Sequence, residues 1–209
     1  IVHDKVLPRT RDDACGDVSL STAIPDWTEA RRDGSVRFIE MLILVDPAMA
    51  SFYGNEPARI REAVKILMHA VHQFLFQIDV RLVIVDVMAI RHANMSLATL
   101  ADWRAGAFAD LPSHDVTMML ALRYEGGIAY VGGVCGRSAV GISGFFPDAP
   151  FEYAGVFVHE LAHLLGLHHE SAAACECRDF QRCLRIDGFE RDCAVQALLN
   201  MLPDHACIQ

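Results

Sequence analysis

The chain has 209 residues, 53% of them hydrophobic, enough to bury the core of one large domain or of one domain with a small appendage. Its formal net charge of −9 argues against nucleic acid or an anionic membrane surface as partner. The best apolar runs, around 41–45 and 80–87, have strand length and fall short of a membrane span.

No signal peptide opens the chain, which starts at Ile1 without methionine and reads as a piece of a longer, multidomain precursor, expected to be monomeric. Residues 1 to about 35 are polar and irregular. They carry Pro8, Pro25, Asp12-Asp13 and the dibasic Arg31-Arg32 and follow neither a helical nor a strand period. They are expected to form a lead-in outside the core, with the main domain spanning 36–209. Residues 38–46 then read as a buried strand bounded by Pro47. From 57 to 76, Ile60, Val64, Leu67, Met68, Val71 and Leu75 recur at three and four, which predicts an amphipathic helix. Residues 80–90 alternate through Leu82, Ile84 and Asp86, the next strand, and a shorter helix carrying Trp103 runs from about 97 to 108. His114-Asp115 introduces a third strand at 116–122. Strands alternating with helices predict an open α/β sheet with helices packed against it.

Glycines at 126, 127, 132, 133 and 136 then divide the chain into short extended pieces. Gly141-Ile142-Ser143-Gly144 reads either as an edge strand that could pair with an extended peptide or as an ordinary turn-rich connection. A last helix is expected at about 194–202, before Pro203. No internal repeat, low-complexity tract or interdomain linker is visible.

The chemistry concentrates in His159-Glu160-Leu161-Ala162-His163-Leu164-Leu165-Gly166-Leu167-His168-His169. Helical positions four apart share a face, so His159 and His163 can present imidazole nitrogens to one zinc ion. Glu160 projects beside that ion, where it can take a proton from a metal-bound water. Gly166 supplies the positive φ that ends a helix and lets His169 return as a third ligand. Three protein ligands leave a fourth position for water, the mark of a catalytic rather than a structural zinc. The spacing selects His169 and leaves its neighbour His168 as a bystander.

Seven cysteines bear on compartment. Cys135, Cys175, Cys177, Cys183, Cys193 and Cys207 form an even set, five of them after the histidine motif, and Cys15 stands apart. They read as disulfides formed in an oxidising compartment, or alternatively as a second, thiolate-rich zinc site. The sequon Asn94-Met95-Ser96 agrees with secretion.

With these residues in view, the chain resembles the catalytic domain of the metzincin metalloproteases, in their adamalysin or ADAM branch. The resemblance runs from Phe38 to Cys207 through the opening strand, His114-Asp115 with its following strand, the zinc signature and the order of the cysteines. It implies the zincin/metzincin fold: a mixed, mostly parallel sheet, long helices, an active-site helix and a small disulfide-rich C-terminal subdomain. It further implies a Cys135–Cys207 disulfide, with Cys175 and Cys177 pairing with Cys183 and Cys193. Glu40, Asp115 and the Cys207 carbonyl match a structural calcium site, though two strand-end acids paired with nearby bases would look the same. Cys15-Gly16 resembles the family's cysteine switch, a thiolate in the fourth zinc position; the alternative is an unpaired thiol. The chain departs from the family at Glu170, where aspartate is usual. It departs also at Arg185, which follows Cys183-Leu184 where a methionine should floor the zinc site; Met201 is the other candidate.

The resemblance implies a secreted or cell-surface zinc endopeptidase that acts on extended protein or peptide segments, with Glu160 as general base and Gly141, Ile142 and Ser143 along the substrate. The alternative is a catalytically silent zinc-binding module with an adhesion or decoy role, which Arg185 motivates.

Overall fold

A computed structural model describes residues 36–75, 80–166 and 207–208, and the backbone of residues 2–4. The expected buried strand forms as β2 (Arg37–Val45), and every residue of it from Met41 to Val45 is buried. Asp46 ends it by capping, its Oδ1 accepting the Met49 N–H at 2.6 Å. With Pro47 in the first helical turn, the chain passes directly into a short helix, α1 (Pro47–Phe52), where the sequence suggested only a stop. The amphipathic period at 57–75 becomes α2 (Pro57–Leu75), which buries Ile60, Val64, Leu67, Met68, Val71 and Leu75. There follow β3 (Val80–Ala89), α3 (Leu97–Ala107), a 3-10 turn (Phe108–Asp110), β4 (Val116–Leu122), β5 (Gly127–Ala129), β6 (Val140–Phe145) and α4 (Pro150–Leu164).

The strands make one sheet in the order β1-β5-β6-β4-β2-β3, in which β1 is Val2–Asp4. β3, β2, β4 and β6 run parallel; β5 pairs antiparallel with β6, and β1 antiparallel with β5. Both faces are covered, as a continuous apolar strand requires. Ile39, Met41, Ile43 and Val45 join the core beneath α2 and α4, while the alternate Leu42 and Leu44 join a second core with Leu97 and Leu100 of α3. The β2–β3 register slips between Met41 and Leu42, which pair with Ile84 and Asp86. This irregularity shifts the phase of β3: Leu82, Ile84 and Val87 share one core, and Val85 and Met88 the other. The alternation expected through Asp86 therefore ends at Ile84.

Two sequence expectations need correction. Gly141-Ile142-Ser143 is no sheet edge: it lies within β6, paired with β4 on one side and β5 on the other, so its main-chain groups are already engaged. Beyond β6 lies β5, and residues 2–4, expected in an irregular lead-in, pair with it as β1 and form the margin of the sheet. No helix among the described residues is long and apolar enough to cross a membrane.

Candidate metal centre

α4 begins with Pro150 in its first turn and Glu152 near its positive end, two features that favour a helix start there. It is buried nearly all round from Tyr153 to Leu164. Its end is built by the segment after β5. The His163 carbonyl accepts the N–H groups of Gly132 and Gly166, both at 2.9 Å, and the Leu164 carbonyl accepts that of Val134 at 3.1 Å. These bonds satisfy carbonyls that a helix terminus would otherwise leave without partners. Gly166 has φ +109°, so the glycine turn expected from the motif forms.

His159 and His163 stand one turn apart with their Nε2 atoms 3.1 Å apart and their rings nearly perpendicular. Two imidazole nitrogens bound to one tetrahedral zinc at about 2.0–2.1 Å would lie roughly 3.3 Å apart. The spacing and chemistry of this pair therefore fit a zinc ion. Both rings are buried, and Glu160 between them has no exposed surface. β5 crosses directly above Glu160: a Cβ on Gly127 would fall 2.5 Å from its Cγ and Oε1. Glycine at 127 is what lets the sheet edge and the carboxylate approach this closely. Burial raises the pKa of the Tyr124 phenol, and the Glu160 charge raises it further, so the field of this carboxylate reaches the β4–β5 connection. The Gly126-Gly127 pair was the sequence signal for this contact, legible as a break but not as a close approach to Glu160.

His169, the expected third ligand, lies outside the described residues, as do Cys15, Cys175, Cys177, Cys183, Cys193, Glu170, Arg185 and Met201. Among the described residues, no three His, Cys, Asp or Glu side chains gather as a metal site. The Cys135–Cys207 disulfide is formed, with its Cα atoms 5.6 Å apart.

Glu40 and Asp115 come together through the main chain: the Asp115 N–H donates to the Glu40 carbonyl and the Glu40 N–H to Asp115 Oδ2, each at 2.8 Å. Burial raises the Asp115 pKa; the Glu40 N–H offsets part of this and the Glu40 charge adds to it. Beside them lies a cluster that sequence reading missed. Arg104 of α3 is buried, and its Nε donates to His114 Nε2 at 3.2 Å and to Thr117 Oγ1 at 3.1 Å, while its Nη1 donates to the Gly136 carbonyl at 3.0 Å. His114 Nδ1 sits 2.6 Å from the Pro112 carbonyl, which can only accept. The proton is thus on Nδ1, and Nε2 is the acceptor for Arg104. Burial lowers the His114 pKa; the Pro112 carbonyl opposes this and the Arg104 charge reinforces it. The signal in the sequence was Arg104 itself, a charge on the same helix face as Leu97 and Leu100.

A disintegrin and metalloproteinase domain-containing protein 9 from Homo sapiens is 26% identical over 154 residues, a match covering 68% of this chain and 19% of the human protein. The chain thus spans about a fifth of the length of that curated relative. A solved structure described as a chaperone–substrate complex aligns with a TM-score of 0.48 at 16% identity, over 64% of this chain and 24% of the other. The profile of the family described as Reprolysin (M12B) family zinc metalloprotease matches residues 37–194. A match over most of the chain, which takes in the helix that carries His159, Glu160 and His163, places this protein in the reprolysin (M12B) family of zinc metalloproteases.

Proposed function

We propose that this domain is a working zinc endopeptidase whose metal ligands are His159, His163 and His169 and whose general base is Glu160. The observation that carries the reading is the 3.1 Å spacing of the two imidazole nitrogens next to a buried glutamate. Zinc held there would bring the pKa of a bound water toward neutrality and polarise a peptide carbonyl. Glu160 takes the proton of the attacking water and returns it to the leaving amine nitrogen. Once β1 is displaced, β5 beside Glu160 supplies main-chain groups to which an extended substrate adds as an antiparallel strand, a role the sequence suggested for Gly141, Ile142 and Ser143. The human relative's name, with its disintegrin and metalloproteinase domains, supports a proteinase within a longer, multidomain parent chain, and the Cys135–Cys207 disulfide supports an oxidising, extracellular setting.

Residues 1–35 act as a latency segment in this reading, and Cys15 is its candidate thiolate. Two observations support latency. Residues 2–4 occupy the β5 edge in the antiparallel sense proposed for substrate, and His159, Glu160 and His163 are 3%, 0% and 0% exposed. The test uses the chain with and without residues 1–35, each loaded with zinc. Removal is expected to raise peptide cleavage. Glu160→Gln in the shortened chain should lower kcat by about 10²–10⁴-fold while zinc stays bound. Full cleavage by Glu160→Gln would refute the assignment. Zinc binding without cleavage in the shortened native chain would favour the silent adhesion or decoy module.

A calcium ion at Glu40, Asp115 and the Cys207 carbonyl is a separate reading, supported by the two acids being drawn together. If it is right, calcium raises the Tm of the native chain but not of Asp115→Asn.

A further inference from the structure

We infer that Asn94 carries an N-linked oligosaccharide whose first sugar sits in a groove walled by Trp103. Three observations meet at this residue. The chain has three asparagines, Asn55, Asn94 and Asn200, and only Asn94 is followed two positions later by a hydroxyl residue, Ser96, with the non-proline Met95 between them. In the fold Asn94 is exposed, on the connection between β3 and α3, and has φ +57°. Asparagine tolerates this left-handed backbone far better than branched or bulky residues do, and residues 91–94 are all exposed just before Ser96 caps α3. Next to it lies an open groove of about 340 Å³ lined by His92, Ala93, Asn94, Met95, Thr99 and Trp103. The half-buried indole of Trp103 offers an aromatic face to the apolar face of a sugar ring, and Thr99 and His92 offer polar groups to its hydroxyl and acetamido substituents.

Attachment must precede folding, because Ser96 Oγ later accepts the Thr99 N–H as the helix cap and is no longer available for recognition. The co-reactant is a lipid-diphosphate-linked oligosaccharide of the secretory membrane. The Asn94 side-chain nitrogen bonds to the anomeric carbon, the bond from that carbon to the diphosphate oxygen breaks with its electron pair leaving on the diphosphate, and the amide gives up one proton. Nothing is oxidised or reduced. The folded domain then holds the sugar on the α3 side of the sheet, across from α4, so the inference stands whether or not the chain cleaves peptides.

The test is secretion of the full chain behind an added leader from a eukaryotic cell, followed by intact-mass measurement before and after glycoamidase treatment. The expected result is loss of one oligosaccharide mass with conversion of Asn94 to aspartate in the native chain and in Ser96→Thr. No change is expected in Asn94→Asp, which keeps the backbone preference and removes the acceptor amide. Secreted, disulfide-bonded native chain with no oligosaccharide would overturn the site. For the groove, trimming the sugar should lower the Tm of the native chain and leave that of Trp103→Ala unchanged. An equal shift in both would overturn the seat at Trp103.

Discussion

Gly127 shows how much can turn on a missing methyl group. Its absent Cβ leaves the space in which Glu160 lies, so Gly127→Ala must push the carboxylate or the strand aside. A displacement of about 1 Å at a reacting group costs on the order of 10²-fold in rate. Gly127→Ala is therefore expected to lower kcat/KM by about that factor while zinc content is unchanged, as checked by metal analysis beside a peptide assay. His114 makes a second residue-scale prediction. Its folded pKa is depressed by burial and by Arg104, so the folded state binds this proton less readily than the unfolded chain does. Stability from this group is complete above the unfolded imidazole value of about 6.5 and is lost as pH falls from there toward the folded value. Denaturation midpoints measured in chelator should fall between neutrality and mild acid, and His114→Gln should flatten the dependence. A native profile that rises with acidity would refute the tautomer assigned here.

At the scale of elements, α4 is held by packing more than by helix propensity. Phe157 is fully buried against the core that β2, β4 and α2 share. Phe157→Ala should cost about 3–5 kcal/mol in chemical denaturation. A cost below 1 kcal/mol would mean that α4 is not anchored as described. Most of these elements could be read from the chain, because α2 repeats at three and four and residues 41–45 of β2 and 118–122 of β4 are unbroken apolar runs, signals that need no partner. α1 escaped because its six residues, Pro47 among them, are too few to show a period, and its start depends on the Asp46 cap. The position of β6 escaped because order in a sheet is set by distant pairing. A hint was present, since none of Val140–Phe145 is charged and all six are buried, as befits a strand covered on both sides. At the metal centre the two histidines four apart and the glycine turn were legible in sequence; the approach of Gly127 to Glu160 was not, because it joins a helix to a strand that follows no local pattern.

Over the whole molecule, the sheet is stitched from segments far apart in the chain, and its two margins differ. β3 at one margin is ten residues long and pairs with β2 along all of β2's length. β1 at the other meets β5 through only three residue pairs, against the nine that join β2 to β3. Ordering a chain segment costs conformational entropy, and three pairs return little against it. Amide hydrogen exchange should therefore separate the two: the Gly127–Ala129 amides that face β1 exchange soon after dilution into deuterated buffer, while those of Val140–Phe145 report global unfolding. Equal protection of both would mean that β1 is part of the cooperative core. In the proposed latent form, a three-pair ladder that fluctuates open alone would make release of β5 an equilibrium of peeling rather than of denaturation. A competing peptide would then gain entry by mass action, at a concentration fixed by how seldom that short ladder lets go.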